Sequence, residues 1–336
     1  MDRNTLFPEI FLRCSARTLG TCICVSRTWA KMIHDPIFRK DYQRSSYRRR
    51  RILYAVPHFR SQDDIGWNFY KSRIEKSGTI KPDAASQIRA ETFDMSKYYR
   101  QRPESVNGLI CSDDRPIICD PSTGSLKRVS APVQMKVPVR YMLGYCPDDD
   151  SYKILSMWGD EDKPMTEYRV CTLGAANEGW RTVSGGRSAS ILTNATCFGG
   201  NIYFIANTHG EGEAEQKLVQ FSLRTETLRF LKYTCELVVA EGKNLEEAAA
   251  WRTITFSFVT LPDFDNYCVI GTTLEPDQII FQGWDNKVSR FCLFFVNLTT
   301  GACSMAPVHG LEPPRIRLDK HKVMAFDHAD SMAFLN

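Results

Sequence analysis

The residues with chemistry to offer are scattered along this chain. Its six histidines are dispersed, at positions 34, 58, 209, 309, 321 and 328. Twelve cysteines include Cys22 and Cys24, but no second pair and no histidine pair completes a zinc site. Their neighbours are mostly apolar and strand-like, which suits reduced, buried thiols. Carboxylates cluster at Asp113-Asp114 and Asp160-Glu161-Asp162, in polar stretches that read as solvated turns. There is no nucleophile elbow, no zinc-protease helix motif and no phosphate-binding P-loop. What remains is the chemistry of recognition. Trp67, Trp158, Trp180, Trp251 and Trp284 are aromatic side chains of the kind that anchor interfaces. The reading is a binding protein, not an enzyme, with no cofactor and no metal.

Charge is uneven along the chain. Residues 1–51 hold twelve Lys/Arg and four Asp/Glu, a net of +8, and the rest carries −4. The excess peaks at Arg48-Arg49-Arg50-Arg51. Such a run can serve nuclear import or nucleic-acid binding. No stacking aromatics or nucleic-acid module accompany it, so it reads as a solvated linker, and nucleic acid is the disfavoured partner. No run of eighteen apolar residues occurs, so no transmembrane helix and no membrane partner is expected. The start, MDRNTLFPEI, lacks the uninterrupted apolar core of a secretory signal. Reduced thiols and no leader point to cytoplasm, nucleus or both.

The elements that must position any binding residue fall into two regimes. Residues 6–38 show helical spacing. Asn4 and Thr5 are candidate caps, with Pro8 fitting only at a helix start. Leu6 and Ile10 share one face and Phe7 and Phe11 another. Ser15 can cap a second helix, with Leu19 and Ile23 on one side. Ser26 can cap a third carrying Val25, Trp29 and Ile33, and Asp35-Pro36 reads as its stop. So small a bundle has more apolar side chains than it can hide, which calls for a partner.

From residue 51 the period changes to 2. Candidate strands are Ile52–Val56, Gly108–Cys111, Ile117–Cys119, Tyr152–Met157, Tyr168–Leu173, Ile202–Ala206, Leu218–Phe221, Gln278–Gln282 and Phe291–Val296. A weak repeat is visible in IICDPSTGSLKRV, VQFSLRTETLRFL and FFVNLTTGACSMA. Asp120, Ser222 and Asn297 take matching places, each followed three residues on by Thr123, Thr225 or Thr300. The implied unit of about 40–50 residues is the size of a propeller blade. Six blades, or seven, would fill the body; a pair of β-sandwiches is the alternative. Residues 195–250 read as an irregular insertion, with Asn207–Gln216 polar and Glu241–Trp251 a short helix or loop. Trp251, at its far end, is the candidate anchor for a bound target.

EIFLRCSARTLGTCICVSRTWAKMIHDPIF resembles the F-box, in the register of Glu9-Ile10, Leu12-Arg13, Leu19, Cys24-Val25-Ser26, Trp29, Ile33, Pro36 and Phe38. The pieces NGLICSDDRPIICDPSTGSLKRVSAP, YMLGYCPDDDSYKILSM, EYRVCTLGAANEGWRTV, TCFGGNIYFIA and LVQFSLRTETLRFL are similar to the F-box-associated domain of the large plant F-box family. The resemblance implies domains at 1–45 (F-box-like helices), 46–51 (basic linker) and 52–336 (propeller-like β domain). It implies a substrate-recognition subunit of a Skp–cullin–F-box ubiquitin ligase acting in ubiquitin-dependent degradation. Leu6, Ile10, Leu12, Leu19, Val25, Trp29, Ile33, Pro36 and Phe38 would hold a Skp-type adaptor and, through it, a cullin–RING ligase. Trp180 aligns with a family signature position and so reads as structural. The chain departs from the pattern at both Leu-Pro sites, where it has Arg3-Asn4 and Cys14-Ser15, and at the arginine-rich element, replaced by Gly20-Thr21-Cys22. These departures raise the alternative of a diverged paralogue that binds proteins without ligase coupling.

Overall fold

A computed structural model describes residues 3–49, 51–59, 65–74, 80–89, 105–112, 115–132, 139–158, 167–175, 179–192, 195–208, 215–232, 238–240, 251–253, 264–272, 278–285, 290–297, 300, 302–311, 323–328 and 332.

The helical spacing builds four helices: α1 (Arg3–Arg13), α2 (Ala16–Val25), α3 (Arg27–His34) and α4 (Pro36–Arg48). Ser15 caps α2 by accepting from the Thr18 N–H at 3.1 Å, and Ser26 caps α3. Two expectations change. Pro8 lies inside α1, which begins at Arg3; the proline forfeits one backbone bond, and ring contacts among Phe7, Phe11 and Trp29 hold that turn. Asp35-Pro36 ends α3 but also starts α4. Proline suits a first helical position, because its missing N–H would be unpaired there. The Asp35 carboxylate accepts from the Ile37 and Phe38 N–H groups at 2.9 and 3.2 Å. Residues 46–48 of the expected linker continue α4 and Arg51 already opens a strand, so the helical segment runs past residue 45.

Each of the nine candidate strands overlaps an observed strand, with Gly108 and Leu173 falling just outside one. The first sheet contains β1 (Arg51–Phe59), β2 (Ile65–Ser72) and β3 (Asp83–Arg89). The second is β4 (Ser105–Val106), β5 (Leu109–Cys111), β6 (Ile117–Asp120) and β7 (Ser125–Arg128). The third is β8 (Val139–Cys146), β9 (Ser151–Trp158), β10 (Glu167–Thr172) and β11 (Arg181–Thr182). In the fourth, β12 (Ala189–Ile191) and β13 (Thr196–Phe198) share one edge of β14 (Asn201–Thr208), followed by β15 (Glu215–Ser222) and β16 (Thr227–Lys232). β17 (Val238–Ala240) and β18 (Trp251–Thr253) form a two-stranded ribbon. The fifth sheet is β19 (Phe264–Thr272), β20 (Gln278–Asp285), β21 (Arg290–Asn297) and β22 (Cys303–Pro307). The last strand, β23 (Met324–His328), returns to pair with β1, Arg51 opposite His328 and Ala55 opposite Met324.

Each sheet is an antiparallel meander, and neighbouring sheets bury apolar faces against one another. Leu143, Ile154 and Cys171 meet Leu109 and Ile118 between the second and third; Leu155, Val170, Ile202 and Phe221 fill the space between the third and fourth. Tyr54, Phe291 and Leu293 do the same between the first and fifth. β23 lies against both β4 and β19. The two ends of the β domain thus share one blade, which removes two exposed sheet edges. Among the described residues this is a propeller arrangement of five complete blades, not a pair of sandwiches.

The expected six or seven blades exceed that number. The 75 residues between Ser222 and Asn297 include only the β17–β18 ribbon as a further described unit. The expected insertion at 195–250 is also smaller than predicted. β14 and β15 reach to Thr208 and start again at Glu215, and Trp251 opens a strand; residues 241–250 lie outside the described residues. The repeat maps onto one hairpin in three blades: β6–β7, β15–β16 and β21–β22.

Candidate partner-binding interface

The helical bundle has its own core. Phe11, Leu19, Ile33, Phe38 and Tyr42 are buried, and Phe7, Leu12 and Trp29 pack on them in part. The Tyr42 hydroxyl donates to the Cys14 carbonyl at 3.0 Å, and Ser45 Oγ donates to the Leu12 carbonyl. The Arg49 guanidinium donates to the Leu12 and Arg13 carbonyls, the second at 2.9 Å. These are last-turn carbonyls of α1 that the helix itself leaves unpaired, and a cation is favoured there. One arginine of the basic run is therefore a helix cap.

This core sorts the nine residues expected to hold an adaptor. Leu19, Ile33 and Phe38 are enclosed within the bundle. Leu12 and Trp29 are half-buried against it. Leu6, Ile10, Val25 and Pro36 are exposed, Val25 at 67%. Ile37, which the sequence reading passed over, is the most exposed large apolar side chain among the described residues, at 74%. A signal was present: Ile37 and Phe38 follow a first-position proline, and adjacent helical residues cannot both face inward. Four large apolar side chains in water on a segment of fewer than fifty residues is the kind of surface a partner covers.

The bundle is fastened to the propeller. Met332, beyond β23, buries its side chain among Phe11, Leu19 and Ile33, and its carbonyl accepts from Arg39 Nη2 at 2.7 Å. On the third blade the Tyr145 hydroxyl donates to Asp150 at 2.7 Å and lies 3.3 Å from Gln43 Oε1 of α4. Burial, then the neighbouring Asp150 carboxylate, pushes the Tyr145 phenol well above its ordinary value.

The propeller's polar groups serve its seams. Lys153 of β9, with 7% of its side chain exposed, donates to the Leu223 carbonyl at 2.6 Å and to Glu226 at 3.1 Å. Glu226 also takes a bidentate pair from Arg181 at 2.6 and 3.1 Å. Burial opposes its charge, but the hydrogen bonds from Arg181 and Lys153 outweigh that and hold its carboxyl below the ordinary range. Glu226 has φ +54°, the left-handed position that Gly124 occupies in the second blade's matching turn. Asp120 is buried, and burial raises its carboxyl to about 6 despite the Ser122 N–H donated at 2.8 Å.

Among the described residues, no group of three or more His, Cys, Asp or Glu side chains could hold a metal. Asp113-Asp114 and Asp160-Glu161-Asp162 lie outside the described residues. Trp67 is buried. Trp180 donates to the Ser130 carbonyl at 2.6 Å and leans on Tyr141, so it ties the third blade to the loop before it. Trp251 opens β18 opposite Ala240, and its side chain lies outside what is described. The same holds for Trp158 and Trp284. No helix among the described residues is long and apolar enough to cross a membrane.

A family model for the F-box-associated beta propeller domain matches residues 57–246. Among curated relatives, one Arabidopsis thaliana protein that carries the F-box name is 27% identical over 380 residues, covering 98% of this chain and 92% of its own length. A second Arabidopsis thaliana F-box protein is 27% identical over 245 residues, covering 66% of this chain and 70% of the relative. Among solved structures, a family 117 glycoside hydrolase from Zobellia galactanivorans aligns over 78% of this chain and 71% of its own, at 8% identity and a TM-score of 0.26, too low to inform fold or chemistry. The family match spans more than half of the chain and falls on the blades described above: the chain belongs to the F-box-associated β-propeller domain family.

Proposed function

We propose that the chain is the substrate-recognition subunit of a Skp–cullin–F-box ubiquitin ligase. Helices α1–α4 take a Skp-type adaptor and, through it, the cullin–RING ligase; the propeller takes a target protein, with Trp251 as an anchor. The chain itself makes and breaks no bonds. It raises the local concentration of target lysines near the ligase's catalytic partner. The cytoplasm or nucleus, where such ligases work, is its proposed location. One observation carries the reading: Leu6, Ile10, Val25 and Ile37 stay exposed on a bundle whose core is already filled. Co-purification of the full chain with a Skp-type adaptor and a cullin tests it. Capture of both supports the reading, and no capture where a complete F-box succeeds refutes it.

A second reading, a diverged paralogue without ligase coupling, is favoured by Ser15. Where the F-box pattern has the proline of Leu-Pro, Ser15 instead caps α2. Under this reading, Leu-Pro restored at Arg3-Asn4 and at Cys14-Ser15 creates an adaptor binding that the natural chain lacks. Equal capture by both chains rules it out.

A further inference from the structure

Strands β1 and β2 meet at one corner of the first blade. The ladder between them ends at Ile52 opposite Ser72, and Arg51 precedes the one while Arg73 follows the other. Like charges gathered in one small space repel one another. A third cation is held close by. Ile80 is clamped to the end of the fifth blade, its N–H donating to the Pro307 carbonyl at 3.0 Å and its carbonyl accepting from the His309 N–H at 2.9 Å. That clamp fixes Lys81 at the seam between the first and fifth blades. Arg51, Arg73 and Lys81, with Ser72, Ile80 and Asp83, line a cavity of about 370 Å³. Ser72 and Ile80 are buried, and Ser72 Oγ is braced by the Tyr54 hydroxyl at 3.0 Å. The three cations are exposed, and none forms an ion pair among the described residues. With Asp83 the lining carries a net charge of +2.

We propose that this cavity binds a phosphate monoester. A monoester carries about −1.5 to −2 charges at neutral pH, which matches the lining. Guanidinium groups present paired donors that fit phosphate oxygens. Bound phosphate offsets the repulsion among the three cations that line the cavity. The monoester's source is either a phosphorylated side chain of a bound protein or a small free phosphate. The site does not depend on adaptor binding, so the two ideas fail separately.

The test is calorimetric titration of the full chain at low salt. The probes are inorganic phosphate, a Gly-Gly-phosphoserine-Gly-Gly peptide and its unphosphorylated form. Both phosphorylated probes bind, and the unphosphorylated peptide does not. Affinity falls as salt rises. The Arg51→Gln/Arg73→Gln double variant loses at least tenfold in affinity and, without phosphate, melts no lower than the natural chain. Asp83→Asn tightens binding several-fold, and Arg17→Gln on α2 leaves it unchanged. A phosphopeptide that binds more tightly than phosphate assigns the site to a protein ligand; equal affinities assign it to a small one. No binding of either phosphorylated probe, full binding by the double variant, or weaker binding by Asp83→Asn overturns the proposal.

Discussion

At the scale of single residues, two carboxylates in matching turns have opposite electrostatics. Asp120 is buried, and burial makes its charged form costlier than it is in water. Its folded-state pKa, about 6, lies above the ordinary 3.8, so the native state takes up the proton first. This group's contribution to stability therefore rises as pH falls from about 6 towards 4. Asn297 fills the equivalent place in the fifth blade, its Oδ1 accepting from the Thr300 N–H at 2.8 Å. Asp120→Asn keeps the turn's acceptor and removes the buried charge. It should stabilise the chain by about 2–3 kcal/mol at pH 7, with the gain vanishing towards pH 4, read by urea unfolding across that range. Glu226 behaves the other way. Its folded-state pKa is depressed below 4.5, so its contribution is fully present above pH 4.5 and is lost as pH falls through the lower, folded value. Its left-handed backbone costs about 1–2 kcal/mol in a non-glycine residue, and the pairs to Lys153 and Arg181 offset that strain. Glu226→Gln should cost about 2 kcal/mol at pH 7, below the range for fully buried pairs because a quarter of the Glu226 side chain is exposed. The deficit should shrink as the acid limb is approached. A pH-independent deficit would mean that the side chain acts by packing alone.

At the scale of elements, the C-terminal stretch does two jobs. β23 closes the first blade, and a few residues later Met332 enters the helical core. Met332→Asp places a carboxylate among Phe11, Leu19 and Ile33. It should destabilise docking of the bundle by about 3 kcal/mol while leaving the β23–β1 pairing in place. Limited proteolysis should then cut between α4 and β1 faster than in the natural chain. Unchanged cleavage would show that Gln43 and Tyr145 suffice to hold the bundle. None of this attachment was legible in the sequence, because Arg39 and Met332 are 293 positions apart and neither belongs to a periodic pattern. The caps at Ser15 and Ser26 were legible, since they depend on residues within one turn. Asp35-Pro36 was legible only in part. It marks a helix boundary, and whether a new helix follows is decided by Tyr42 and Phe38, which pack on the bundle rather than on their own neighbours.

At the scale of the whole molecule, the strands and the repeated hairpin were visible because a pleated chain buried on one face must alternate, and because the turn residues recur. The blade count was not visible. Short polar spacers and full blades look alike until strand pairing is known. The exposed apolar face was visible as a set of residues but not as a surface, because helical periodicity cannot separate Leu19 and Ile33, which the bundle keeps, from Ile10 and Val25, which it leaves in water. The proposal is that these exposed residues are the adaptor's handhold. It is tested most directly by the affinity of a purified Skp-type adaptor for the full chain and for an Ile10→Asp/Val25→Asp variant. Both positions are exposed, so the variant should melt as the natural chain does. The natural chain should bind and the variant should lose at least tenfold, the equivalent of about 1.4 kcal/mol or more. Equal binding by the two chains, or none by the natural one, would contradict it.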